Sequence, residues 1–303
     1  MTKIKDLKQG VNSIALLVMA VEGKTTKTQK SYVVFKLSDG ETTIEAKRWD
    51  SELSVYEWLA NKVVRVGLNV GTYNGAASYE VVTLMEEKTA KVSDFVLKVP
   101  VDSETMFSYL VNVPIHNPEL KYIVNGLLNS NKEKLMYWAA AKSIHHALYG
   151  GLLYHMYRMT QSAEKLCLVY DDINKDLLLA GTILHDIGKL EELDVTPLGE
   201  SDFSLKGRLF GHLYLGMQMV RDTATNKDSE IVMQLLHMIA SHHGKIEYGA
   251  ISLPATREAE ILHELDMLDS RLYQYEDEYK KIEAGETSDK VFGLGCSVYK
   301  PAK

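Results

Sequence analysis

The sequence predicts a multidomain α and β protein in which a five-stranded β-barrel precedes an all-helical bundle. Three observations predict it. Residues 13 to 86 break into short apolar runs divided by turn residues, which is how strands read. After Val101 the periodicity turns helical and stays helical. With 303 residues the chain is long enough for two domains with separate cores.

Ser13 to Val21 is the first strand, and Glu22-Gly23 with the polar stretch Lys24 to Lys30 is a loop. Ser31 to Leu37 is the second strand, closed by Ser38-Asp39-Gly40, and Thr42 to Trp49 alternates as the third. Ser51 to Asn61 reads as a helix, because Leu53, Tyr56, Leu59 and Ala60 recur at helical spacing. Val63 to Val70 is a fourth strand, Gly71 to Ala76 a turn, and Ser78 to Leu84 a fifth strand. Five short strands with a helix between the third and fourth is the order of an OB barrel, placed at residues 1–87. Such barrels often hold single strands of nucleic acid with aromatic platforms and a basic groove. The candidate contacts are Lys24, Lys27 and Lys30 on the first loop, Tyr32 and Phe35 on the second strand, and Lys47, Arg48 and Trp49 on the third. Tyr32 and Phe35 stand an odd number of positions apart, so they face opposite sides of a regular strand and one of them belongs to the core.

Residues 88–100 form a connector, and a helical domain spans 101–284. Its helices read as Glu104 to Val111, Glu119 to Leu128, Glu133 to Tyr149, Gly151 to Ala163, Asp176 to Leu190, Gly211 to Thr223, Ser229 to Ser241 and Arg257 to Lys281. The tail, 285–303, is open between an ordered lid, a partner contact and a loose end. Residues 1–87 carry 11 basic and 11 acidic side chains, and the remainder 23 basic against 30 acidic, so the net charge of −7 falls wholly outside the barrel. A polyanion would therefore need a local basic patch. Cys167 and Cys296 are too few for a disulfide framework, and no apolar stretch is long enough to span a bilayer. The apolar run Ile14 to Val21 leads into Glu22-Gly23-Lys24 without a small-residue cleavage site, so the expectation is a cytoplasmic protein without a membrane anchor.

Potential metal ligands fall on or beside the helices in the order His155, His185-Asp186, His212, His242-His243, Asp266, with Asp269 one turn beyond Asp266. Helices each projecting one such side chain inward is how bundle metal sites are made. An imidazole binds one divalent transition ion, while a carboxylate can bridge two. The order His, His-Asp, His, His, Asp resembles the HD metal-dependent phosphohydrolase superfamily, as does Gly188-Lys189 after His185-Asp186. More closely, Tyr149-Gly150-Gly151-Leu152-Leu153-Tyr154-His155, Gly207-Arg208-Leu209-Phe210-Gly211-His212 and Ser241-His242-His243-Gly244, behind an OB domain, resemble the YhaM family of 3′ to 5′ exoribonucleases.

The resemblance implies one metal on His155, His185, Asp186 and Asp266, with Asp186 bridging to a second on His212 and His242. His243 is the alternative to His242, and Asp269 the fallback for Asp266. His145 and His146 are weaker candidates, and His116, His237 and His263 are read as structural. The mixed ligands favour Mn²⁺, Fe²⁺ or Co²⁺ over Mg²⁺, and the family resemblance points to Mn²⁺. Lys189, one turn after His185, is placed either to meet a phosphate oxygen or to answer a helix dipole, and Lys206 and Arg208 are second-rank phosphate contacts. The implied activity is metal-dependent hydrolysis of single-stranded RNA, or single-stranded DNA, from its 3′ end to nucleoside 5′-monophosphates. The alternatives are an HD phosphohydrolase of free nucleotides or cyclic dinucleotides with a regulatory barrel, and a non-catalytic single-strand-binding protein. Oligomeric state is open.

Overall fold

Strand β1 (Gly10–Thr25) is long because it serves two neighbours. In the computed structural model, which describes residues 2–73, 75–96, 98–140, 148–196, 198 and 201–302, its first half pairs antiparallel with β4 (Val63–Tyr73) and its second half with β2 (Ser31–Ser38). A bulge between Val18 and Ala20 divides the halves, and there Val18 exchanges backbone hydrogen bonds with Asn61 and Lys62 instead. β3 (Thr43–Trp49) pairs with β2, and β5 (Ala76–Glu86) with β4. A short parallel contact of β3 with β5 closes the barrel in the order β1-β2-β3-β5-β4.

Alternation puts Ile14, Leu16, Val18, Val33, Phe35, Leu37, Val64, Val66 and Leu68 inside. The chain divides into two units, residues 1–98 with 196–199, and 99–195 with 200–303. The first is the five-stranded OB-like barrel.

Two expectations for this unit need correction. The stretch from Glu22 is strand as far as Thr25, so Lys24 stands opposite Tyr32 in the sheet and only residues 26–30 turn. Ser51 to Asn61 forms two 3₁₀ turns, Leu53–Val55 and Glu57–Leu59, in place of a helix. Asp50 and Asn61 at its two ends are left-handed, with φ of 50° and 66°, and the Asn61 amide donates to the Val18 carbonyl.

The second unit is built around α5 (Lys175–Leu184), apolar on every side from Leu177 to Leu184 and therefore buried. It packs against α2 (Pro118–Ser130), α4 (Gly151–Leu166), α8 (Glu230–Ser241) and α9 (Arg257–Tyr279). α1 (Ser103–Val111) lies on α4, and α6 (Lys189–Glu192) on α7 (Leu205–Thr223). Side chains cap the starts: Asp102 accepts from the Thr105 amide, Asn117 from Leu120, Asn174 from Leu177, Ser204 from Gly207 and Thr256 from Ala259.

Of the helix expected from Glu133 to Tyr149, the described residues up to 140 form only α3 (Lys132–Leu135). Beyond it the backbone serves tertiary contacts, Met136 O accepting from the Ser103 hydroxyl and Trp138 O from the Leu152 amide. Residues 141–147, with His145 and His146, lie outside the described residues. Two hairpins escaped the sequence reading. β6 (Leu193–Val195) pairs with β7 (Ser201–Phe203). In the tail, β8 (Thr287–Val291) pairs with β9 (Cys296–Tyr299), which lies on α9 with Val298 buried. Lys300 Nζ donates to the carbonyls of Tyr279 and Ile282, tying this ordered hairpin to the end of α9.

Candidate metal centre

Two helices end in the same way at the middle of the second unit. α5 stops at His185 and α8 at His242, each the C-cap residue, and each ring donates through Nδ1 to the carbonyl three residues earlier, Thr182 or Ile239, at 2.9 Å. The two helices approach closely at Gly181, where a Cβ would meet the Met238 sulfur at 2.8 Å. The expected helix from Asp176 to Leu190 breaks after Leu184. Tight turns, Ile187 to Leu184 and Lys189 to Asp186, carry the chain into α6 and let adjacent His185 and Asp186 both face the centre.

The expected helix start at Gly211 is instead a break within α7, with φ 69° and ψ 161°, just before His212. Only glycine takes that conformation without strain. The Gly-Lys after His-Asp also has a steric reason: a Cβ on Gly188 would sit 2.0 Å from the His212 carbonyl oxygen. At Gly207 a Cβ would sit 2.1 Å from the Glu192 carbonyl oxygen, so glycines on both sides let α6 and α7 touch backbone to backbone.

Asp186 is the hub, 2% exposed. Its Oδ2 lies 3.4 Å from His185 Nε2 and 3.8 Å from His155 Nε2. Its Oδ1 lies 3.5 Å from His212 Nε2 and 3.8 Å from His242 Nε2. Asp266 Oδ1 stands 3.3 Å from His155 Nε2. His243 Nε2 is 3.2 Å from His212 Nε2, and His242 and His243 lie in one group of potential donors with His212. All six ligand residues expected from the sequence, and the alternative His243, are brought together.

The fallback ligand Asp269 faces elsewhere. Its Oδ2 accepts from His155 Nδ1 at 2.8 Å, and its Oδ1 pairs with Arg158 Nε at 2.8 Å. On the other side Glu192 Oε1 accepts from both the backbone amide and Nδ1 of His212, at 2.9 Å each. The sequence reading missed Glu192, whose neighbours Lys189, Glu191 and Asp194 give it the look of a solvated charge. For Asp269 a signal existed: His155 and Arg158 are one turn apart on α4, as are Asp266 and Asp269 on α9.

This donor set fits divalent metal ions. With acceptors at Nδ1 of His155, His185, His212 and His242, their Nε2 atoms face inward. His155 Nε2 lies 3.2 Å from His185 Nε2, and His212 Nε2 lies 3.2 Å from His243 Nε2, so ring nitrogens converge in pairs on each side of Asp186. The charged groups of the cluster act on one another. Burial resists charge on Asp186, yet Lys189, His185 and His212 hold its carboxyl well below the usual range. Burial likewise opposes protonation of His155, but Asp266 and Asp269 outweigh it and push its pKa up to about 9. Burial and the neighbouring His185 push His242 far down, leaving it a free base.

Lys189 Nζ contacts Asp186 Oδ2 at 2.6 Å, and the Trp138 indole and Lys134 fix the α6 backbone through the carbonyls of Lys189 and Leu190. His237 Nε2 accepts from the Ala255 amide, and His263 Nδ1 donates to the His242 carbonyl. His116 is exposed, its backbone amide donating to Asp176. Lys206 and Arg208 are exposed on α7, paired with Glu191 and Asp202.

In the barrel, Lys24, Tyr32 and Trp49 stand opposite one another on three strands, with Trp49 45% exposed and 4.9 Å from Tyr32 between ring centroids. Lys47 Nζ lies 5.7 Å from the Trp49 ring centroid. Phe35 is the core member of its pair, fully buried, and is no surface contact. Arg48 is turned the other way, donating to the carbonyls of Val81 and Val82 and bracing the β3–β5 seam. Lys24 pairs with Glu22 and Lys30 with Asp50, while Lys27 lies in the exposed turn.

Among solved structures the chain is similar to the OB domain of Ta0387 from Thermoplasma acidophilum, at 20% identity over 28% of this chain and 83% of that one, with a TM-score of 0.23. No helix of the described residues is long and apolar enough to cross a membrane. Residues 152–271, which hold every residue of the metal centre, match the family model of the HD domain, so the chain carries an HD domain behind an N-terminal OB-like barrel.

Proposed function

We propose that the chain is a cytoplasmic, metal-dependent 3′ to 5′ exoribonuclease that hydrolyses single-stranded RNA, and by the same chemistry single-stranded DNA, to nucleoside 5′-monophosphates. HD domains are typically metal-dependent phosphohydrolases, and the observation that carries the reading is the two-sided environment of Asp186. Its Oδ2 faces His155 and His185, and its Oδ1 faces His212 and His242. His155, His185, Asp186 and Asp266 would hold one ion; Asp186, His212, His242 and His243 would hold the other. Two such ions supply charge neutralisation at the phosphoryl oxygens and an acidified water for in-line attack. Imidazole with carboxylate suits Mn²⁺, and next Co²⁺ or Fe²⁺.

The chain's own groups do the rest. Lys189, held at Asp186, offers an ammonium to a phosphate oxygen as charge builds on it. Burial of the imidazoles keeps bulk water from them. On the barrel, Tyr32 and Trp49 offer stacking surfaces and Lys47 a neighbouring charge, which suits a single strand. The test is a time course on 5′-labelled single-stranded RNA with and without Mn²⁺, resolved at single-nucleotide steps. A metal-dependent ladder shortening from the 3′ end is expected; an intact oligomer with metal-loaded protein overturns the reading.

A second reading, an HD phosphohydrolase of free nucleotides with a regulatory barrel, has one observation in its favour. Two of the barrel's candidate lysines, Lys24 and Lys30, are already neutralised by Glu22 and Asp50. Turnover of nucleotides with the oligomer left intact selects it.

A further inference from the structure

Four imidazoles of the centre have Nδ1 held by an acceptor, and the acceptors are of two kinds. His185 and His242 are held by backbone carbonyls, so no side chain sets their direction. His155 and His212 are held by carboxylates from outside the cluster, Asp269 and Glu192. The carboxylates divide evenly. His155 lies on the Oδ2 side of Asp186 and His212 on the Oδ1 side, so each side has one imidazole fixed by backbone and one fixed by a charged side chain.

Both carboxylates are themselves held. Asp269 is buried, and Arg158 Nε pairs with its other oxygen at 2.8 Å while the same guanidinium reaches Glu276 at 3.2 Å. Glu192 is gripped twice by His212, through ring and backbone, and its own carbonyl accepts from the Ser204 amide.

We infer that Asp269 and Glu192 are positioning residues with one metal position each: Asp269, locked by Arg158, orients His155 for the Oδ2 side, and Glu192 orients His212 for the Oδ1 side. The inference rests on the two-position centre proposed above. A carboxylate behind a ligating imidazole fixes its tautomer and raises its basicity, and removing one typically weakens metal binding about 10- to 100-fold. Because the carboxylates are separate, the two positions are weakened separately.

The experiment is calorimetric titration of metal-free full-length protein with Mn²⁺, repeated with Co²⁺ while its visible absorption is followed, on wild type, Asp269→Asn and Glu192→Gln. Wild type is expected to bind two ions. Each variant is expected to lose about 10- to 100-fold in one binding event with the other unchanged. The affected event, and the Co²⁺ band that changes, should differ between the variants. Thermal unfolding of the metal-free proteins checks folding; if Asp269→Asn does not fold, Arg158→Gln is read in its place, with Arg158→Lys expected to recover part of the loss. Two unchanged affinities in a folded variant, or equal weakening of both events by either variant, overturns the inference while leaving the metal centre standing. Failure of wild type to bind Mn²⁺ or Co²⁺ overturns both.

Discussion

Trp49 and Tyr32 stand outside a closed barrel whose interior is aliphatic side chains and Phe35, whereas His155, His185, Asp186 and His242 occupy the interior of the helical unit. The difference teaches how each kind of site fails. An exposed aromatic can be removed at the cost of its own contacts. Removing a member of a buried polar cluster leaves its direct partners unsatisfied as well, so the loss exceeds that member's own contacts.

The largest expected effect sharpens that contrast at its polar extreme. Asp186→Ala should lower hydrolysis at least about a thousandfold, since the one group common to both sides is gone. It also leaves the half-buried Lys189 ammonium without the carboxylate it contacts, so unfolding of the metal-free variant should shift to lower denaturant. Single-strand binding, measured by mobility shift, should be unchanged; its loss would show that the barrel does not act alone.

Next come two glycines of the helical unit. Gly188→Ala drives a Cβ into the His212 carbonyl, backbone against backbone, while Gly181→Ala meets only the flexible end of Met238. Overpacking costs about 1–3 kcal/mol, with Gly188 expected at or above the top of that range and Gly181 near the bottom. Denaturant midpoints of the two variants check the order, and the reverse order would mean that α6 and α7 part more easily than α5 and α8.

In the barrel, Trp49→Ala is expected to weaken single-strand binding by about 1–3 kcal/mol with no loss of stability. Phe35→Ala should do the opposite, destabilising the barrel by about 3–5 kcal/mol through the cavity it leaves. Fluorescence titration with a labelled oligomer and urea unfolding separate the two, and a stability loss in Trp49→Ala would remove the distinction between face and core.

The smallest effect is in acid. Burial works against the Asp39 carboxylate, but the amides of Ile4, Thr42 and Glu41 outweigh it and hold its pKa below the usual range. A lowered folded-state pKa means the unfolded chain binds the proton more tightly. The contribution is therefore complete above about pH 4, the ordinary carboxylate value, and is lost as pH falls through the lowered one. Asp39→Asn should flatten that acid limb, followed by urea unfolding between pH 5 and 2.5.

The strands were legible because alternation is a local property: Val33, Phe35 and Leu37 declare an inward face whatever surrounds them. The candidate ligands were legible because their order along the chain, His, His-Asp, His, His, Asp, resembles the HD pattern. The supports were not. Glu192 becomes buried only when Gly207 lets α7 close on it, a contact between residues far apart in the chain. The break after Leu184 was hidden because its cause, the approach of α6 to α7 at Gly188, is tertiary, and helical periodicity runs straight through it. The strands of β6 and β7 are three residues each, too short to show any period.

The double duty of β1 bears on how the barrel comes into being. Its hairpin with β2 joins near neighbours in sequence, but its pairing with β4 joins Gly10 to Val70, a distant partner. Until β4 has been synthesised, the half of β1 from Gly10 to Leu17 is an open edge carrying unpaired backbone groups, the kind of template on which chains aggregate. Closure is then a slow, non-local event that protects both ends at once. Trimming past Ile4 already removes a buried side chain and the amide that holds Asp39, and trimming beyond Gly10 opens the β4 edge one pair at a time, so tolerance to trimming should begin to fall at Ile4.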